Sequence, residues 1–275
     1  MILRADALGF TYPHQPPGGM PAISNLSAVF MPGEVTVLLG PNGSGKSTLL
    51  RLLAGLLAPA TGLATINGLD ITRLSPGQRA RSLAYIPQRD DDAGDFTVLE
   101  AVAMGRFAAG REQSSRGVAS RACERAGLAE LGDRRVGTLS AGQRQRVLLA
   151  RALCQVHGIP GAALLADEPA AALDPAYASV SSRRLREHAQ TGAAVVVAMH
   201  DLNAAARLAH RVLIIGPGGV CLAHGPTETT MTPETLARAF GTRFLCYPTP
   251  AGPTFIPDPD AGVPADPASP YASAT

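Results

Sequence analysis

The chain predicts an α/β fold with a mostly parallel, buried sheet, on three observations. The apolar run Val35–Leu39 ends in Gly40, Pro41, Asn42, Gly43, Ser44, Gly45, Lys46 and Ser47, then passes into a helix-like stretch at 48–57. A second apolar run, 162–166, stops abruptly at Asp167 and Glu168. After it, helical and strand-like runs alternate at 179–190, 194–199 and 202–209. Strands that are apolar throughout, separated by helices, belong to a parallel sheet covered on both faces.

Each element follows from local chemistry. The first helix stops near Pro59, which cannot continue it. Residues 63–66 followed by Asn67 and Gly68 read as a strand entering a tight turn. Residues 211–215, the run Gly216, Pro217, Gly218 and Gly219, and residues 220–223 read as a hairpin. Between 98 and 155 strand signals nearly vanish, and Ala, Leu, Arg and Glu predict a helical insertion. Arg106, Arg111, Arg116 and Arg121 lie in its most polar part, as a solvated face or a basic patch. The last stretch, 247–275, holds eight prolines among Ala, Gly, Ser and Asp and is expected to be a flexible tail.

Composition bounds the partners. The 275 residues are 46% hydrophobic and 17% charged, enough for a sizeable core. A formal net charge of +2 and an aromatic content of 4% give no basis for binding nucleic acid. Cys123, Cys154, Cys221 and Cys246 are scattered without a CxxC pair and read as reduced thiols in a core. No targeting segment is expected, and no apolar run is long enough to cross a bilayer, so any work at a membrane would go through a partner.

The chemistry concentrates at strand ends. Glycines after Val35–Leu39 let the backbone turn its N–H groups inward, and the next helix points its positive N-terminus at the same place. Lys46 would then reach the β/γ-phosphates of a nucleotide and Ser47 would ligate Mg²⁺. Ligands of an open parallel sheet bind beyond its carboxyl edge, where Asp167 suits a metal shell and Glu168 suits the activation of water. His200 sits at the tip of a third strand-like run. Ser140 is a helix N-cap, and Arg144 and Arg146 near that positive helix end suggest an anion there.

The loop at 40–47, Gln88 after Tyr85, Ile86 and Pro87, the stretch 139–143, the strand and acids at 163–169, the stretch 171–174 and His200 occur in that order. Together they resemble the ATP-binding cassette (ABC) ATPases over roughly residues 1–246. The resemblance implies a P-loop NTPase core with a mostly parallel sheet, an antiparallel β subdomain and a helical subdomain inserted at about 90–158. It implies a head-to-tail homodimer sandwiching two ATP molecules, with Mg²⁺. Residues Gly40 to Ser47, Thr48, Ser140, Gly142 and Gln143 would bind ATP, with Lys46 and Ser47 of one copy facing Ser140 and Gly142 of the other across the γ-phosphate. By the same resemblance Gln88 joins Ser47 and Asp167 at Mg²⁺, Asp174 links the two copies and His200 contacts the γ-phosphate. Tyr12 looks like the aromatic that stacks on adenine, with a core tyrosine as the other reading. The chain departs from the family pattern at Ala141, where glycine is usual, and at Ala170 and Ala171, which replace the common Thr-Ser; residues 13–21 look like an insertion beside the adenine.

Two further stretches, 96–106 and 200–207, are similar to the ATPases of importers for iron chelates, haem and cobalamin. Such a subunit would sit on the cytoplasmic face of the inner membrane and drive a separate polytopic permease, with a periplasmic binding protein delivering the cargo. The motor of an exporter and a soluble, non-transport ABC ATPase are the other readings of the same motifs.

Overall fold

In the computed structural model, residues 1–13, 19–88, 95–109, 115–250 and 252–260 are described. The strands in chain order are β1 (Leu3–Phe10), β2 (Ile23–Phe30), β3 (Val35–Leu39), β4 (Thr61–Ile66), β5 (Leu69–Asp70), β6 (Leu83–Ile86), β7 (Ala163–Asp167), β8 (Val195–Ala198), β9 (Arg211–Ile215), β10 (Cys221–Pro226), β11 (Phe244–Thr249) and β12 (Gly252–Pro257). The helices are α1 (Lys46–Leu53), α2 (Pro76–Ser82), α3 (Val98–Ala103), α4 (Ser115–Arg125), α5 (Ala141–Val156), α6 (Pro175–Gln190), α7 (Leu202–Leu208), α8 (Thr227–Thr230) and α9 (Pro233–Phe240).

The main sheet has the order β10-β9-β3-β8-β7-β6. Its inner pairs are parallel, with Val35 opposite Val195, Leu164 opposite Val195 and Tyr85 opposite Leu165, and only β10 runs antiparallel at the edge. Every residue of β3, β7 and β8 is buried, as expected for strands covered on both faces. Alternate side chains serve two cores. Val37, Leu164 and Val197 face Leu148, Leu149 and Leu185 of α5 and α6. Leu38, Leu165 and Val196 face Leu49 and Leu52 of α1, together with Leu3, Leu8 and Ile23 of a second, antiparallel sheet, β2-β1-β4-β5. β1 and β2 carry no strong pattern in the sequence, and they are strands because that face of the parallel sheet needs a cover.

A third core, with Val98, Val102, Val118 and Cys123, joins α3 and α4 to α5. Helix α5 serves both sides: Val147, Ala150 and Cys154 face α3 and α4, while Leu148, Leu149 and Ala152 face the sheet. Helix α5 therefore joins the insertion to the sheet, and Arg125 of α4 adds a 2.6 Å ion pair to Glu187 of α6. Arg106 donates to the His157 carbonyl at 2.7 Å, and Arg111 lies outside the described residues. The Asn67 and Gly68 turn has positive φ at both residues, 51° and 79°, and connects β4 to β5. Cys221 and Cys246 are exposed rather than buried, while Cys123 and Cys154 lie in the core as expected.

The expected boundary at 246 falls inside a strand. β11 and β12 form an antiparallel hairpin, so a flexible tail does not begin at 247. Phe255 is buried against the core, and the Asn203 side chain on α7 both accepts from Phe255 N at 2.7 Å and donates to Phe255 O at 3.2 Å. The prolines of 248, 253 and 257 sit on a two-stranded edge where a missing N–H costs little. Residues 261–275 lie outside the described residues. We expect Phe255→Ala to cost about 3 kcal/mol in urea unfolding, as for other buried phenylalanines; a loss under about 0.5 kcal/mol would mean the hairpin is an appendage.

Candidate active site

β3, β6, β7 and β8 all end at the same edge of the main sheet, and the loops that follow them carry the polar groups. The loop after β3 needs its glycines. Gly45 caps α1 with φ 98°, and a Cβ there would run into the Ala22 carbonyl. No side chain caps α1, so its leading backbone N–H groups are left for a ligand. Around this loop lies a cleft of about 890 Å³, bordered by residues 41–48, Tyr12, residues 20–22, Gln88, Glu168, Pro217 and Gly218.

Lys46 is buried, and its Nζ donates to the carbonyls of Gly40 at 2.8 Å and Pro41 at 3.0 Å. Burial pushes its pKa down, against the pull of Glu168 and Asp167. The Ser47 hydroxyl donates to Asp167 Oδ1 at 3.1 Å, joining α1 to the end of β7. Asp167 is 2% exposed, and burial is the main force holding its carboxyl above the usual range, with the Ser47 hydrogen bond opposing it. A buried carboxylate beside a hydroxyl is a hard-oxygen pair, and it fits a divalent cation such as Mg²⁺.

Glu168 has φ 48°, in the left-handed region. That costs a non-glycine residue roughly 1–2 kcal/mol, and such strain gathers at functional sites. Its Oε2 accepts from Gln88 Nε2 at 3.0 Å, and His200 Nδ1 lies 3.5 Å away. Tyr12 is half-buried rather than part of the core. Its ring borders the cleft, yet its hydroxyl shares a 3.2 Å hydrogen bond with Thr48 Oγ1 and its edge meets Phe10 at 5.0 Å.

Other expected site residues lie elsewhere. Ser140 and Gln143 form a reciprocal cap on α5, with Ser140 N donating to Gln143 Oε1 at 2.9 Å and Gln143 N donating to Ser140 Oγ at 3.2 Å. Neither they nor Gly142 border the cleft. Asp174 caps α6, accepting from the Ala176 and Tyr177 N–H groups at 3.1 Å. Arg144 and Arg146, read as marking an anion at the start of α5, are both engaged within the chain. Arg144 donates to the Leu139 carbonyl at 2.7 Å, and the buried Arg146 donates to the Gly127 carbonyl at 2.8 Å and stacks 3.8 Å over the Tyr177 ring. Both guanidiniums hold loops to α5.

Sequence reasoning missed Pro217 and Gly218 as walls of the cleft. The Gly218-Gly219 pair was their one signal, and a Cβ on Gly219 would strike the Ala22 carbonyl. It also missed the backbone strain at Glu168, which no residue pattern announces.

This fold and site define a P-loop nucleoside triphosphatase. The ABC transporter family model matches residues 23–171. The chain is 40% identical to the hemin import ATP-binding protein HmuV of Pseudomonas fluorescens over 247 residues, covering 89% of this chain and 94% of that one. It is 37% identical to the protein of the same name from Rhizobium meliloti over 238 residues, covering 85% and 90%. Among solved structures it is similar to a metal-chelate-type ABC transporter in an inward-facing conformation, with TM-score 0.75, 27% identity and 93% and 97% coverage. A dimeric bacterial ABC transporter cassette matches with TM-score 0.73, 27% identity and 82% and 98% coverage. The chain belongs to the ABC transporter family and is an ATPase of that family.

The departure at Ala141 is tested by a contrasting pair. Ala141 is exposed on the first turn of α5, whereas a Cβ on Gly142 would stand 2.8 Å from the Ala172 carbonyl. Ala141→Gly is expected to change stability by at most about 1 kcal/mol. Gly142→Ala is expected to cost about 1–3 kcal/mol by forcing the 170–174 loop to move. Urea unfolding of both variants checks the order; equal costs would mean that the loop yields freely.

Proposed function

We propose that this chain is the ATP-hydrolysing subunit of an importer for hemin or a related iron chelate. The reading is carried by the convergence of Lys46, Ser47, Glu168 and Gln88 on one cleft, with Asp167 bonded behind Ser47, and its cargo class by the hemin import proteins to which the chain is similar. Among the described residues no helix is long and apolar enough to cross a membrane. By its similarity to import ATPases, the subunit works against a separate polytopic permease on the cytoplasmic face of the inner membrane, with a periplasmic binding protein supplying cargo.

The nucleotide's phosphates take the place of the Gly40 and Pro41 carbonyls as partners of Lys46, while Gly43, Gly45 and the free N–H groups of α1 receive their oxygens. Ser47 and Asp167, with the Gln88 side-chain oxygen, would hold Mg²⁺, which spreads charge from the β- and γ-phosphates when bound. Glu168 takes the proton of the attacking water, whose oxygen bonds to the γ-phosphorus as the bond to the β-phosphate bridge breaks, giving ADP and inorganic phosphate. Gln88 must let go of Glu168 for this, so the residue that follows β6 couples the carboxylate to whatever moves the helical region. His200 orients the same carboxylate.

Ser140, Gly142 and Gln143 sit outside their own cleft, and Ser140 is exposed, which supports a head-to-tail dimer in which they close over the phosphates of the other copy. Asp174, exposed at the start of α6, is placed to contact that copy.

Glu168→Gln is expected to slow ATP hydrolysis about 100-fold or more while retaining nucleotide, and to accumulate an ATP-bound dimer on size exclusion. A variant that hydrolyses ATP at the original rate removes Glu168 from its role. In a strain lacking the chain, uptake of hemin, ferric siderophores and cobalamin is measured separately. Loss of hemin or chelate uptake, rescued only by the original chain, is the expected result. Normal uptake of all three transfers the motor to an exporter.

A further inference from the structure

A second groove, of about 660 Å³, lies between α6 and α7 and meets the nucleotide cleft at one residue, Glu168, which borders both. Its walls carry Arg183 and Arg186 of α6, Arg207 of α7, and the hydroxyls of Ser179 and Ser182. Among the described residues neither Arg183 nor Arg207 has an ion-pair or hydrogen-bond partner, and Arg186 has a single 3.4 Å bond to the Leu208 carbonyl. The two carboxylates on the lining are both engaged. Asp201 accepts the Asn203 and Ala204 N–H groups at 2.9 Å, and Glu168 is held by Gln88 and faces His200. Three arginines against two carboxylates leave this lining with a net positive formal charge.

Two details fit this recess to the chemistry next door. The His200 side chain is 61% exposed, borders this groove rather than the nucleotide cleft, and stands 3.5 Å from Glu168 at the junction. Ala170 and Ala171, the departures noted in the sequence, are part of the lining and bring no hydroxyl to it. Guanidinium forks recognise tetrahedral oxyanions, and the reaction at Glu168 makes one at each turnover.

We infer that the α6–α7 groove is a second oxyanion site that receives inorganic phosphate after hydrolysis. It gives the product an exit on the His200 side of Glu168, away from the loop that still holds ADP. The inference rests on the hydrolytic role proposed for the cleft. Its first test is independent of that role, because it needs no nucleotide.

Inorganic phosphate is titrated into the chain and followed by ³¹P line broadening, with Lys46→Ala used to disable the glycine-rich loop. Phosphate binding is expected to persist in Lys46→Ala, to weaken with added salt, and to fall about tenfold when Arg183→Ala and Arg207→Ala are added, the loss of one or two charge-assisted contacts. Both arginines are exposed, and retained binding of a fluorescent ATP analogue by Arg183→Ala/Arg207→Ala alone confirms the fold. Loss of all phosphate binding on Lys46→Ala overturns the site, as does binding indifferent to the two arginines. A second arm separates product from bulk phosphate by timing hydrolysis against phosphate release with a fluorescent phosphate sensor. Severalfold slower release in the arginine variant, with the hydrolytic step unchanged, supports the exit. Unaltered release overturns the exit route and leaves a site for phosphate from solution. A chain that does not hydrolyse ATP at all defeats the hydrolytic reading and with it the exit, while the equilibrium titration still decides the site.

Discussion

The hydrogen bond from Ser47 to Asp167 is the joint on which the rest of the site depends. It ties the first residues of α1, and with them the glycine-rich loop, to the end of β7. Asp167 is almost wholly buried, and without a ligand only Ser47, Lys46 and Arg51 ease its charge. A carboxylate held in that position is costly to the empty protein and favourable once a cation arrives. The site is thus organised around an under-compensated negative charge that a divalent cation arriving with the nucleotide would relieve.

Glu168 carries the complementary constraint. Its left-handed backbone turns the chain sharply after β7, so two consecutive acids point in different directions: Asp167 toward Ser47 and Glu168 toward Gln88 and His200. Gln88 follows β6 and His200 follows β8, the two neighbours of β7 in the sheet. Sheet order, not closeness in sequence, brings three loops onto one carboxylate. Glu168 also stands between two recesses, the cleft at the glycine-rich loop and the groove between α6 and α7.

The long helix α5 is the mechanical counterpart. One face belongs to the sheet core and the other to the helical region, and its N-terminus carries Ser140, Gly142 and Gln143. Movement of α3 and α4 therefore cannot leave that N-terminus behind. The Arg146 guanidinium, stacked on Tyr177 of α6 and bonded to the Gly127 carbonyl, adds a second fastening across the same junction.

What could be read from residues alone was what local chemistry dictates. The glycine-rich loop, its flanking strand and helix, the acids at the end of an apolar run and the N-cap of α5 each depend on a few adjacent residues, and each was legible. Three things were not. β1 and β2 became strands because the parallel sheet needed a cover. The hairpin of β11 and β12 was hidden by its prolines and is held by Phe255 and Asn203, about fifty residues apart. The Gly127 carbonyl and Tyr177 ring that engage Arg146 come from the packing of separate segments. The sequence by itself determined which chemical groups the protein owns and the short turns that present them. Tertiary structure decided which groups meet, because strand order and the burial of Asp167 are set by contacts between segments far apart in the chain.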